Sequence, residues 1–142
     1  MDRTATARWT GDLRTGSGSI RLGSGAFEGA YSFKTRFEGA PGTNPEELLG
    51  AAHAACFSMA LSLGLTKAGH PPESIETSAV VHLEKVGEGF AITGIDLTTV
   101  AAAAGLSEDE LKRLAEDAKT NCIVSKALAA VPVMLAASLR AG

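Results

Sequence analysis

Apolar and polar positions alternate singly in the first third of the chain, in short runs separated by glycine-rich turns. Residues 4–9 and 18–22 read as short strands around Gly11-Asp12 and Gly16-Ser17. Residues 31–37 read as a third, with Tyr31, Phe33 and Thr35 on one face and Ser32, Lys34 and Arg36 on the other. After the break at Gly39-Ala40-Pro41-Gly42 the period changes. Leu48, Ala52, Ala55, Met59 and Leu63 recur at helical spacing, and apolar or small residues occupy the other faces too. The spacing predicts a helix buried nearly all round. Its start is marked by Thr43-Asn44-Pro45-Glu46-Glu47: a capping side chain, a proline at the first helical position, and glutamates against the positive end of the dipole. Gly69 and Pro71-Pro72 stop it near residue 68.

Strict alternation returns over residues 74–86, with Ile75, Thr77, Ala79, Val81 and Leu83 on the inner side. Gly87-Glu88-Gly89 turns this strand into another over residues 90–100. Ser107-Glu108-Asp109-Glu110 opens a second helix whose inner face carries Leu111, Leu114, Ala115 and Ala118. Asn121-Cys122 ends or interrupts it, residues 123–129 suit a further helical turn, and residues 131–139 a last strand. The pattern is α+β with largely antiparallel strands. At 142 residues, with no repeat or linker, residues 1–142 are expected to form a single domain.

Charge narrows the partners. The formal net charge is −3 and no basic run occurs, so neither nucleic acid nor an anionic membrane is expected as a partner. Residues 1–8 contain no apolar run resembling a signal peptide, which points to the reducing cytoplasm. The apolar stretch 48–65 is interrupted by Gly50, His53, Ser58, Ser62 and Gly64, so it reads as a core helix rather than a membrane span. Aromatics make up only 5% of the chain while alanine and glycine abound, which predicts closely approaching helices.

The two cysteines, 66 positions apart, are poor candidates for a permanent staple in a reducing compartment. Cys56 lies within the long helix among alanines. It is either a reactive thiol or an inert core residue, and a thiolate there needs a positive or hydrogen-bonding neighbour. Cys122 sits between helical segments. A short helix starting there would offer free backbone N–H groups to its sulfur, and the bland alternative is again a small buried hydrophobe. His53, three residues before Cys56 on the same face, is a proton acceptor for that thiol, a metal ligand with Cys122 and His82, or a packed helix histidine. No CxxC or HExxH spacing supports the metal alternative. His70 reads as a loop residue and His82 as a strand-surface one. Arg36, Glu38, Glu46 and Glu47 are the strong charges around the helix entry, and on pattern alone they make a solvated strand end with dipole-matching glutamates. No nucleotide fingerprint, P-loop or nucleophile elbow is present.

Longer motifs carry more. Arg36-Phe37-Glu38-Gly39 followed by Thr43-Asn44-Pro45-Glu46-Glu47-Leu48-Leu49-Gly50-Ala51-Ala52-His53-Ala54-Ala55-Cys56-Phe57-Ser58-Met59-Ala60-Leu61 closely resembles the signature of the OsmC/Ohr family, nearer its OsmC (osmotically inducible protein C) branch. Ala7-Arg8-Trp9-Thr10-Gly11, Gly89-Phe90-Ala91-Ile92-Thr93 and Asn121-Cys122-Ile123-Val124-Ser125 extend the resemblance over essentially the whole chain. Ile123 departs from it, standing where the family usually has proline.

The resemblance implies an OsmC-like α+β fold, with an antiparallel sheet wrapped on a long buried central helix in an intertwined homodimer. It implies a cytoplasmic thiol peroxidase acting on organic hydroperoxides and, more weakly, on hydrogen peroxide. Cys56 matches the peroxidatic thiol, Cys122 the resolving thiol, Arg36 the arginine that holds the first thiol ionised, and Glu46 the glutamate that orients that arginine. No bound cofactor is implied; an external dithiol, of lipoyl type, returns the disulfide to thiols. A redox sensor that oxidises once and changes partner would use the same cysteine pair. Glu46 and Cys56 are ten residues apart, about 15 Å along a straight helix. The two are therefore expected to serve one site from different subunits, unless the chain folds back near Glu46.

Overall fold

The computed structural model describes residues 1–142, which divide into two compact units, Met1–Leu48 and Leu49–Gly142. In the first unit, strands β1 (Ala5–Thr10), β2 (Ser17–Leu22) and β3 (Glu28–Tyr31) form an antiparallel sheet in the order β1-β2-β3. Trp9 and Tyr31 lie side by side across it, ring centroids 5.3 Å apart. The predicted strand over 31–37 is corrected here. Only its first residue belongs to a strand; Phe33–Phe37 is a short helix, α1. Ser32 and Thr35 form a reciprocal capping box, each side chain bonded to the other's backbone N–H, at 3.2 and 2.9 Å. Those local bonds outcompete the alternating pattern. No apolar side chain of residues 1–48 is buried; the buried one is Glu46.

Helix α2 (Pro45–Lys67) starts in the first unit and continues in the second. Asn44 caps it, its Oδ1 accepting from the Glu47 N–H at 2.8 Å. At the other end Gly69, at φ +89°, allows the reverse bonds Gly69 N–H to Thr66 O and His70 N–H to Leu65 O. This is the left-handed stop the sequence predicts.

In the second unit, β4 (Pro72–Val86), β5 (Gly89–Ala103) and β6 (Val133–Leu139) form a sheet in the order β4-β5-β6. β4 and β5 are an antiparallel hairpin. β6 is parallel to β5, reached through α3 (Glu108–Asn121) and α4 (Ile123–Ala127). The fold class is α+β as expected, but with two three-stranded sheets, one of them mixed, in place of a single antiparallel one.

The core lies between this sheet and the helices. Phe57, Leu61 and Leu65 of α2, Ile95, Leu97 and Ala101 of β5, and Leu111, Ala115 and Ala118 of α3 are buried together. Gly50 faces β4 closely: a Cβ there would be in ordinary van der Waals contact with Val81 Cγ2 at 3.4 Å and Ala79 Cβ at 3.6 Å. Hydroxyls stitch the layers, Ser58 to Thr77 at 2.8 Å and Thr77 to Thr99 at 2.9 Å, so these buried hydroxyls are paired.

The burial of α2 corrects the sequence reading. The buried stripe is His53, Phe57, Leu61 and Leu65, while Ala52, Ala55, Met59 and Leu63 face outward. Met59 is 76% and Leu63 56% exposed. A helix apolar all round carries two candidate inner faces. The larger side chains Phe57, Leu61 and Leu65 went to this chain's own sheet, leaving the other face without cover.

A candidate thiol redox site

Cys56 and Cys122 are both free and lie near each other, lining the same cavity. Each is placed by its own element. Cys56 projects from the middle of α2, half-buried, one position before the inner residue Phe57. Cys122 is nearly fully buried and occupies the joint between α3 and α4. Its backbone N–H closes the end of α3 on Ala118 O, at 2.8 Å. Its side chain caps the start of α4, Sγ accepting from the Ser125 N–H at 3.5 Å. A helix begins at Cys122, so the donors expected from the sequence are present at its sulfur.

These donors decide the acidity of Cys122. Burial pushes the thiol up, because desolvation disfavours the charge. Against that act the Ser125 N–H, the Cys56 thiol, the Ser125 hydroxyl and the Val124 N–H, and the balance holds Cys122 below the usual thiol value.

Both sulfurs line a cavity of about 1020 Å³ between α2 and the α3–α4 joint. Met59, Ala60, Leu63 and Leu114 make its wall apolar, and Lys67 and Asp117 are its charged members. Ile123 also lines it and is 77% exposed at the first position of α4. That position has no need of its N–H, and Cys122 before it is extended, at ψ 125°, as a residue preceding proline must be. Ile123→Pro is therefore expected to stabilise the chain by about 0.5 kcal/mol through the unfolded state. The check is a urea midpoint that rises at constant slope.

The remaining predicted residues have partners of their own. Arg36, in α1, makes a forked ion pair with Glu46 in the first turn of α2: Nη2 to Oε1 at 2.7 Å, and Nε to Oε1 and Oε2 at 3.1 and 3.3 Å. Glu46 is almost buried and Arg36 is more open, with its guanidinium also over the Phe37 ring. This pair is a fixed fork, more than the solvated strand end that the pattern alone suggests. Glu38 is an exposed C-cap of α1. His53 does not address Cys56; its Nε2 meets Ser125 Oγ at 2.7 Å. His82 pairs with Asp96 at 2.8 Å and His70 with Glu110 at 3.3 Å. No group of three or more His, Cys, Asp or Glu side chains has metal-binding geometry, so His53, Cys56, Cys122 and His82 do not form the ligand set considered from the sequence. Ser125 is the residue that sequence reasoning missed. Its signal is the spacing Cys122-x-x-Ser125, which puts its N–H and hydroxyl over the residue that caps its helix.

Two free thiols close together, one of them acidified, at an apolar cavity define a thiol–disulfide redox protein. A model of the OsmC-like protein family matches residues 37–136. The chain is 51% identical over 131 residues to Peroxiredoxin OsmC of Escherichia coli (strain K12), across 92% of each. Its fold is similar to that of the organic hydroperoxide resistance protein OhrB of Bacillus subtilis, with a TM-score of 0.72 and 27% identity over 96% of this chain and 98% of that one. An OsmC-like protein from Mycoplasma pneumoniae shares the fold alone, with a TM-score of 0.75 at 16% identity over 99% of both. The chain belongs to the OsmC-like family.

Proposed function

We propose that this protein is a thiol-dependent peroxidase that reduces organic hydroperoxides, and more weakly hydrogen peroxide, to alcohols or water. The observation that carries this reading is the placement of Cys56 and Cys122 together at the wall of the apolar cavity. Cys56, on the open side, attacks the distal peroxide oxygen as a thiolate. The O–O bond breaks, the alkoxide takes up a proton and leaves as alcohol, and Cys56 becomes a sulfenic acid. Cys122 then attacks that sulfur: the S–S bond forms, the S–O bond breaks, and water leaves. The apolar wall suits the alkyl part of an organic peroxide better than it suits hydrogen peroxide. An external dithiol of lipoyl type returns the disulfide to two thiols, and the cytoplasm is the compartment that keeps such a donor reduced.

The working form in this reading is a homodimer. Two features of the chain support it: the uncovered stripe Ala52, Ala55, Met59 and Leu63, and a first unit that buries no apolar side chain. A three-stranded sheet with no buried apolar face is not stable alone, so a second copy is the natural cover. Helix α2 is unbroken from Pro45 to Lys67, so the fold-back near Glu46 does not occur. Ten residues of helix then separate Glu46 from Cys56, about 15 Å of rise. This favours a site in which Cys56 receives the partner subunit's Arg36, oriented by the partner subunit's Glu46. A guanidinium stays charged at any working pH and would hold the sulfur as a thiolate.

The test is mass spectrometry after one equivalent of cumene hydroperoxide. The chain should lose two hydrogen atoms and yield a linked Cys56–Cys122 peptide. Dihydrolipoamide should then sustain turnover. Oxidation without turnover by any dithiol would favour the redox sensor, and persistence of both free thiols would end the peroxidase reading.

A further inference from the structure

His53 has no part in the scheme above, yet its surroundings are unusual. The side chain is fully buried, and its Nδ1 has no hydrogen-bond partner. Nε2 lies 2.7 Å from Ser125 Oγ. Ser125 in turn gives Cys122 Sγ its backbone N–H, at 3.5 Å, and its hydroxyl is among the groups that hold the Cys122 thiol below its usual value. Residues 72 positions apart are thus joined in a line that ends on the sulfur.

The orphan nitrogen sets the direction of this line. Burial holds His53 below the usual imidazole value, so the ring is neutral and carries one proton. If that proton sat on Nδ1, a buried N–H would face no acceptor, the rarer and costlier defect. With the proton on Nε2, Nδ1 is only an unused lone pair, and Nε2–H donates to Ser125 Oγ. The serine hydroxyl has a single proton, which is then free to point at Cys122. The chain of donors runs from His53 Nε2–H through Ser125 Oγ–H to Cys122 Sγ.

We propose that His53 is a positioning residue for the resolving step, locking the Ser125 hydroxyl as a donor to the Cys122 sulfur. The proposal rests on the reading of Cys122 as the resolving thiol. Its effect is on the nucleophile. The donor favours the Cys122 thiolate, which forms the S–S bond as the Cys56 S–O bond breaks. The departing hydroxide accepts the proton that Cys122 gave up and leaves as water. No further oxidant is consumed, since the peroxide has already oxidised Cys56. The other ionisable groups around the cavity are Cys56, Lys67 and Asp117, and the comparison below holds them constant.

The test isolates Cys122 by working in a Cys56→Ser background and titrating its thiolate by ultraviolet absorbance. His53→Phe should raise the titration midpoint by about one unit, the loss of one hydrogen bond to a charge. His53→Gln, whose amide can stand in for Nε2–H, should restore it. Ser125→Ala should raise it by a similar amount, and His53→Phe added to Ser125→Ala should change nothing more. In the chain with both cysteines, dimedone trapping at neutral pH should find the His53→Phe sulfenic acid living about threefold longer. Tenfold less thiolate is partly offset there by the greater nucleophilicity of a more basic one. An unmoved Cys122 midpoint in Ser125→Ala or in folded His53→Phe overturns the proposal, and Ser125→Ala decides it should the phenylalanine variant not fold. Failure of the peroxidase reading shows separately, as a wild-type chain that consumes no cumene hydroperoxide although its Cys122 midpoint still responds to His53.

Discussion

Cys56→Ser is expected to lower the consumption of cumene hydroperoxide by a factor on the order of 10⁴ or more, to the level of buffer. The reason is chemical. A serine hydroxyl is hardly ionised at neutral pH and has no counterpart of the sulfenic acid through which oxygen is transferred. The exchange is mild for the fold, because Cys56 is only half-buried and serine differs from it by a single atom. Matching circular dichroism and an unaltered melting temperature should accompany the loss. Cys122→Ser should behave differently. It should complete one turnover, hold the sulfenic acid at Cys56 for dimedone to trap, and recycle only as fast as external thiol can reach the cavity. Undiminished peroxide consumption by Cys56→Ser would overturn the assignment of both cysteines.

Arg36→Met should lower the second-order rate with organic peroxide about a hundredfold, and mixing it with Cys56→Ser should restore activity. The first figure is the effect of removing one unit charge about 4 Å from a thiolate at an effective dielectric near 20, less some gain in intrinsic nucleophilicity. The second tests which chain supplies the cation. A mixed dimer holds one intact Arg36 and one intact Cys56, on different chains. If each site combines the two across the interface, one site per mixed dimer is whole, and random reassortment restores about a quarter of wild-type activity. If both groups of a site come from one chain, neither site is whole and the mixture stays inactive. Glu46→Gln should act through the same cation with a smaller loss, because the forked ion pair orients the guanidinium without supplying its charge.

Much of the fold was legible because its signals are local. Asn44-Pro45-Glu46 and Gly69 bound α2, Ser107 starts α3, and the alternation from Ile75 to Leu83 marks β4; each involves residues a few positions apart. The error at 31–37 arose between two local signals, where the bonds of the Ser32–Thr35 box overrode an alternating pattern of only a few residues. The inner face of α2 was not legible at all. Hydrophobic spacing fits both its stripes, and which one meets the sheet depends on β5, forty residues downstream.

Cys56, Cys122, Arg36 and Glu46 were all identifiable as candidates from residue type and motif. Their arrangement required the tertiary structure. The sequence by itself determined which chemistry is available: one thiol in a helix of small residues, a second at a helix joint, and an arginine beside a glutamate-rich helix start. Only the tertiary structure decided that the two thiols share one cavity, that the Ser125 N–H donates to the second, and that His53 stands behind that serine. Thiol chemistry and imidazole–hydroxyl bonds act over a few ångströms, the residues concerned are 66 and 72 positions apart, and only the packing of α2 against the α3–α4 joint brings them together.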